Sequence, residues 1–253
     1  MKTLYCIIGN LRSGDAPCDS YQKNIHSEDV DIALYTGNDY KDSPWRSLAK
    51  YTWETDESTN WWEDVYDARL TGWRNWNPTG NTYGPYVKTL CNGDMRDGSG
   101  MIVSAYRQLL YGKLLEIPHY DRYILSRSDI MFINKKIDIP RTQPNTIYVP
   151  KGEEWGGVTD RFMVSDRDAF LKSLLVMDTL EKMQSNHPTN FETLLLKHFI
   201  NSNLKVQKIP RFMFSIAKKG DQTRWQPPCL ECSIPEYPGY YAKYRSEYYM
   251  AIQ

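Results

Sequence analysis

Apolar residues recur along the chain in two periods, one near two residues and one near three and a half. Residues 3 to 9, "TLYCIIG", form a short run of β-branched and aromatic side chains closed by glycine, the pattern of a central strand. Residues 30 to 36, "VDIALYT", repeat it and run into "GND". The polar stretch between them is long enough for a crossover with a short helix, which predicts two neighbouring parallel strands and a β-α-β opening. The period changes in "GSGMIVSAYRQLLYGKLLE", where Ile102, Val103, Tyr106, Leu109, Leu110 and Leu114 approach the spacing of an amphipathic helix. Strand patterns return in "YDRYILSRSDIMFI", in "TIYVP" (146 to 150) and in "DRFMVS" (160 to 165). Helices are expected over "DRDAFLKSLLVMDTLEKMQ" and "NFETLLLKHFINSN", with Asp166 and Asn190 as N-caps. "LKVQKIP" and "RFMFSIA" read as two last strands, and the Pro- and Tyr-rich tail beyond Pro227 reads as irregular chain.

Residues 40 to 98 break both periods. Trp45, Trp53, Trp61, Trp62, Trp73 and Trp76 are scattered among Asp, Asn, Thr and Gly, which predicts short helices and loops covering the sheet edge. The element order is that of an α/β chain with three layers, and in open α/β sheets ligands gather outside the carboxyl ends of the strands. Charges at strand ends are therefore the ones to examine.

Composition narrows the partners. With 31 basic and 31 acidic residues in 253, the chain has no general electrostatic affinity for nucleic acid or anionic membrane, so an anionic ligand would need a localised site. The N-terminal apolar run of about six residues is too short for a signal-peptide core, and no segment approaches the roughly twenty apolar residues that cross a bilayer. These features lead us to expect a cytoplasmic protein, soluble or peripherally associated. Five cysteines make an odd count, which predicts free thiols rather than a disulfide framework. Cys229 and Cys232 form a C-x-x-C pair, but a structural zinc needs four ligands and no second pair lies nearby.

The stretch "YILSRSDIMF" carries the candidate chemistry. Tyr123, Ile124 and Leu125 run into Ser126, Arg127, Ser128 and Asp129 before apolar chain resumes at Ile130, so the strand surfaces, presents an oxygen-rich turn and returns to the core. A carboxylate flanked by hydroxyls suits a hard divalent cation, and Arg127 suits a phosphate by a bidentate fork. Taken alone, the same residues fit an Arg–Asp pair that closes a strand end at least as well.

"YDRYILSRSD" after a long helix resembles the segment of GT-A fold glycosyltransferases that carries the metal-binding DxD motif. It resembles the R-x-D variant of small enzymes in viral and bacterial surface-glycan synthesis. "LYCIIGNLRSG" and "VDIALYTGND" are similar to that family's first two strands, and "IYVPKGEEWGGVTDRFMVSDRDAF" to the stretch that leads to an aspartate and then to a strand and helix. "NFETLLLKHFINSNLKVQKIP" resembles its helix with an early glutamate, and "FSIAKKGDQTRW" its closing basic loop. The individual motifs are degenerate, and their order is the specific signal.

The resemblance implies a GT-A-like three-layer α/β/α fold with a mixed, mainly parallel central sheet and one glycosyltransferase domain over 1–253. Residues 1–39 and 99–133 would form the nucleotide-binding half, 40–98 a Trp-rich variable region, and 134–253 the acceptor-side half and tail. It implies hexosyl- or pentosyl-transfer from a nucleoside diphosphate sugar, UDP-linked, to a glycan or glycoprotein. Asp129 would ligate Mn²⁺ or Mg²⁺, although Arg127 occupies the place of the first DxD carboxylate. Gly9, Arg12, Thr36, Gly37 and Arg127 would line the nucleotide-sugar pocket, and Lys218, Lys219 and Arg224 would close over the phosphates around Gly220; a solvated basic turn accounts for that loop as well. Asp160, preceded by two glycines, is the first candidate for the base that takes the acceptor proton, with Glu153, Glu154 and Glu192 behind it. His119, His187 and His198 read as structural. Two other classes stay open: a nucleotidyltransferase of similar sheet, and a carbohydrate-binding module built on the tryptophans.

Overall fold

The computed structural model describes residues 1–11, 14–38, 40–56, 89–91, 94–96, 99–133, 139–182, 191–219 and 228–253. Its strands are β1 (Thr3–Ile8), β2 (Val30–Gly37), β3 (Tyr51–Thr55), β4 (Thr89–Cys91), β5 (Asp94–Arg96), β6 (Arg122–Ser126), β7 (Ile130–Phe132), β8 (Thr146–Pro150), β9 (Phe162–Ser165), β10 (Lys205–Ile209), β11 (Met213–Lys218) and β12 (Tyr240–Ala242). Its helices are α1 (Asp15–Asn24), α2 (Pro44–Leu48), α3 (Ser99–Leu114), α4 (Arg167–Leu174), α5 (Val176–Lys182), α6 (Phe191–Asn201) and α7 (Arg245–Ile252).

Seven strands make one sheet in the order β10-β8-β9-β6-β1-β2-β3. Every neighbour pair is parallel except the two that β9 makes, so six strands point one way and β9 alone runs back. The start of β9 therefore lies at the same edge as the carboxyl ends of the other six.

The two-residue period of β1 sorts its side chains into two cores. Leu4, Cys6 and Ile8 pack with Tyr106, Leu110 and Leu114 of α3, Phe170 of α4 and Leu194 of α6. Tyr5 and Ile7 pack with Cys18 and Tyr21 of α1 and Trp45 of α2. Helices thus cover both faces, which is the three-layer α/β/α arrangement with a mixed, mainly parallel sheet expected above. Each fully buried leucine or phenylalanine in these layers contributes about 1.5–3 kcal/mol. A second sheet, β12-β11-β7, stands beyond the carboxyl edge and shares a smaller core with Ala251 of α7.

Three expectations are corrected. The tail is not irregular chain: it forms β12 and α7. Its aromatic and charged residues lack clear period, and the strand pairs only because β11 is already in place. Residues 51–55 are an edge strand parallel to β2, too short and too deep in a polar region for its alternation to stand out. Trp53 there stacks on Tyr51 at 5.8 Å and Trp45 is buried against Tyr21, so these two tryptophans are packing residues. Trp61, Trp62, Trp73 and Trp76 lie outside the described residues, as does Asn190. The helix expected over 166–184 breaks in two at Leu175 (φ −83°, ψ 41°). Asp166 does cap α4, accepting from the Ala169 N–H at 2.8 Å. No described helix is long and apolar enough to cross a membrane.

Candidate active site

At the carboxyl edge of the sheet two connections, the turn after β6 and the loop from β8 to β9, build a charged cluster. The first follows β6. Ser128 Oγ donates to the Asn10 carbonyl at 2.6 Å and the Ile216 N–H donates to the Asp129 carbonyl at 2.9 Å, which locks the turn between β1 and β11. The side chain of Asp129 is nearly inaccessible. Arg127 donates to it through Nε (3.0 Å) and Nη2 (2.7 Å), and Lys243 donates through Nζ. Burial would raise this carboxyl, but the charges of Arg127 and Lys243 outweigh burial and hold it well below the usual carboxylate range.

The second turn is 151–160. Gly152 (φ 85°), Glu153 (52°), Trp155 (43°) and Gly156 (81°) all adopt left-handed backbone, a conformation that costs a non-glycine residue about 1–2 kcal/mol. Neighbouring elements hold it there. Arg211 donates to the carbonyls of Lys151 (2.6 Å) and Gly152 (2.8 Å), and the Val158 N–H donates to the Glu192 carbonyl (3.1 Å). A Cβ on Gly157 would overlap the Glu192 carbonyl, so only glycine lets the loop rest on the start of α6. Ser246 donates to Glu153, Lys208 pairs with Glu154, and Trp155 projects outward, 59% exposed.

The end of that loop leads into β9. Buried Arg161 pairs with Glu247 at 2.8 Å and lies over the Tyr244 ring at 4.8 Å. The carboxylate of Asp160 acts electrostatically on Arg127, Arg161, Arg107 and Glu192. Glu192, in the first turn of α6, is pushed up to about 7, first by burial and next by the Asp160 charge. A carboxyl poised at neutral pH beside a second carboxylate is equipped to exchange a proton with a ligand.

Five expected residues, Arg127, Asp129, Glu153, Asp160 and Glu192, thus fall at one edge of the sheet. Gly9 and Gly37 end β1 and β2 at the same edge, and Gly9 (φ 93°) donates its N–H to the Tyr35 carbonyl at 3.0 Å. Thr36 is buried there with its Oγ1 unpartnered among the described residues, a polar atom left for a ligand or water. Lys218 reaches the Gly14 turn at the start of α1 and lies 5.3 Å over the Tyr240 ring, while Lys219 is exposed. Arg12, Gly220, Arg224 and His187 lie outside the described residues. His119 is exposed, and His198 is satisfied by Thr179 Oγ1 (2.9 Å) and the Lys172 carbonyl (2.8 Å). Cys229 and Cys232 are free thiols with Sγ atoms 3.3 Å apart.

The residues that sequence reasoning missed come mostly from the tail: Lys243, Tyr244 and Glu247. Glu247 is fully buried and accepts from the Ser215 N–H (2.8 Å) and Oγ (2.6 Å) and from Arg211 Nη1 (3.4 Å), besides pairing with Arg161. Arg107 was legible in principle, as an arginine set in the apolar stripe of α3. It is fully buried over the Phe191 ring, and its Nε and Nη2 have no hydrogen-bond partner among the described residues.

The divalent cation that the resemblance implies does not fit Asp129 as it is held. Both carboxylate oxygens are taken by nitrogen donors, and the described residues contain no group of three acidic, histidine or cysteine side chains able to hold a metal.

No family model and no curated protein matches the chain. Among solved structures it is similar to a protein named as a nucleotide-diphospho-sugar transferase from Desulfovibrio desulfuricans G20, at 10% identity and TM-score 0.39, covering 83% of this chain and 80% of that one. It is also similar to the glycosyltransferase GlyE of Streptococcus pneumoniae TIGR4, at 9% identity and TM-score 0.42, covering 82% of this chain and 45% of that one.

Proposed function

We propose that this protein is a glycosyltransferase that moves a sugar from a nucleoside diphosphate donor, UDP-linked in the first instance, to a hydroxyl of a glycan or glycoprotein acceptor. The observation that carries the reading is the meeting, at the carboxyl edge of six parallel strands, of cations suited to a diphosphate with Glu192, a carboxyl raised toward neutrality by burial and by the Asp160 charge. Transfer forms a bond between the acceptor oxygen and the anomeric carbon, breaks the bond from that carbon to the β-phosphate oxygen, and moves the acceptor proton to a base. Glu192, pushed up to about 7 by burial and by the Asp160 charge, supplies that base, with the Asp160 carboxylate acting on it. Arg127 and Lys243 face the charge that develops on the leaving diphosphate. Gly9, Thr36 and Gly37 at the ends of β1 and β2 give the nucleoside close access to backbone, with Lys218 beside the Gly14 turn. Exposed Trp155 offers an aromatic face to an acceptor sugar.

The test is calorimetric titration with UDP, GDP, CDP and ADP, followed by NMR detection of donor-sugar hydrolysis. Selective binding of one diphosphate at micromolar affinity with slow hydrolysis of its sugar conjugate is expected. Failure of all four to bind, with or without Mn²⁺, would overturn the reading.

A further inference from the structure

The way Asp129 is held answers what neutralises the diphosphate, and the answer rests on the donor class proposed above. We infer that Arg127, Asp129 and Lys243 form a built-in substitute for a divalent cation, so that the diphosphate is bound by side-chain cations and binding needs no metal. Three observations carry this.

The first is access. Side-chain exposure falls from 28% at Arg127 to 9% at Lys243 and 4% at Asp129, so an approaching ligand meets the guanidinium while the carboxylate lies beneath it. A metal could reach Asp129 only by displacing Arg127 or Lys243 from it. The second is charge. Two cations and one carboxylate leave one net positive charge at the end of β6, the same that a single carboxylate and a divalent ion would leave there. The third is geometry. The bidentate fork from Nε and Nη2 to Asp129 fixes the guanidinium plane, which leaves its remaining edge in a set orientation of the kind that binds phosphate oxygens. The backbone holds Lys243 just as firmly, its N–H donating to the Ser215 carbonyl at 2.8 Å. Asp129 is thus a positioning residue: it touches the cations, and the cations touch the phosphates.

The two roles for Asp129 predict different metal dependence. Calorimetry with UDP in EDTA and then in Mn²⁺ should give dissociation constants within about threefold of each other. Asp129→Asn unseats the Arg127 fork and should weaken UDP binding by the same factor in EDTA and in Mn²⁺, whereas loss of a metal ligand would weaken only the Mn²⁺-dependent binding. Lys243→Gln should weaken binding at least tenfold in EDTA with no rescue by Mn²⁺, whereas under metal ligation it would bare a carboxylate oxygen and favour Mn²⁺-dependent binding. Far-UV circular dichroism and melting confirm that each variant is folded, and the parent comparison stands if one is not. Binding by the parent only when Mn²⁺ is present overturns the inference and leaves the proposed function standing. Absence of binding to any nucleoside diphosphate in both buffers overturns both.

Discussion

Glu192→Gln should make the protein more stable at neutral pH while removing most of its transfer activity. Glu192 has an ordinary value of 4.5 in the unfolded chain and about 7 in the folded one, raised by burial and by Asp160. Between these values the folded state holds a proton that the unfolded state has released, so stability falls as pH rises through the window and is level again above about 7. At about 1.4 kcal/mol per pH unit the loss amounts to about 3 kcal/mol. Glutamine is neutral throughout. The variant should therefore match the parent at pH 4, show a flat profile where the parent declines, and exceed it by about 2–3 kcal/mol at pH 8. The lower figure allows for the favourable placement of a negative charge in the first turn of α6, about 0.3–1 kcal/mol. Urea unfolding at pH 4, 6 and 8, with midpoints and slopes fitted separately, measures this directly. Donor-sugar transfer at pH 8 should drop by about 10²–10⁴ if the carboxylate takes the acceptor proton. A variant less stable than the parent at pH 8, or one that keeps the parent's decline, refutes the raised pKa. Unchanged transfer would assign the base to Asp160 alone.

Other outcomes follow from particular contacts. Glu247→Ala leaves the buried guanidinium of Arg161 without its carboxylate and takes a second contact from Arg211, and should cost about 3–5 kcal/mol in urea unfolding; a loss under 1 kcal/mol would mean these arginines have other partners. Gly157→Ala forces the 151–160 loop off the start of α6 and should cost about 1–3 kcal/mol together with transfer activity, read by melting and by donor turnover. Asp166→Ala removes only the cap of α4, about 1 kcal/mol in urea unfolding, and should leave nucleotide affinity unchanged.

Much of the fold was legible because strands and helices are set by short-range periodicity. The apolar runs at 3–9, 30–36, 146–150 and 160–165 are strands, and the stripe at 99–114 is a helix, because buried faces demand apolar side chains at periods of two and of 3.6. Arg127 and Asp129 could be picked from sequence for a related reason, since charge next to an apolar strand marks where chain leaves the core; Asp160 was singled out by the two glycines before it, and Glu192 only by the resemblance. What escaped was whatever depends on partners far along the chain. The tail looked irregular because β12 and α7 are stabilised by β11 and by Glu247 rather than by their own pattern. Trp45 could not be read as a core residue because its neighbour in the core, Tyr21, belongs to a different helix.

The sharpest division runs through Asp129. Its sequence neighbours were enough to say that a carboxylate stands at a strand end beside an arginine, and they left both a metal ligand and an ion pair open. Tertiary structure adds what those neighbours do not contain, bringing Lys243 onto it from 114 residues away. A buried carboxylate takes the charges nearest to it, and which charges those are is a property of the fold, since no local pattern encodes them.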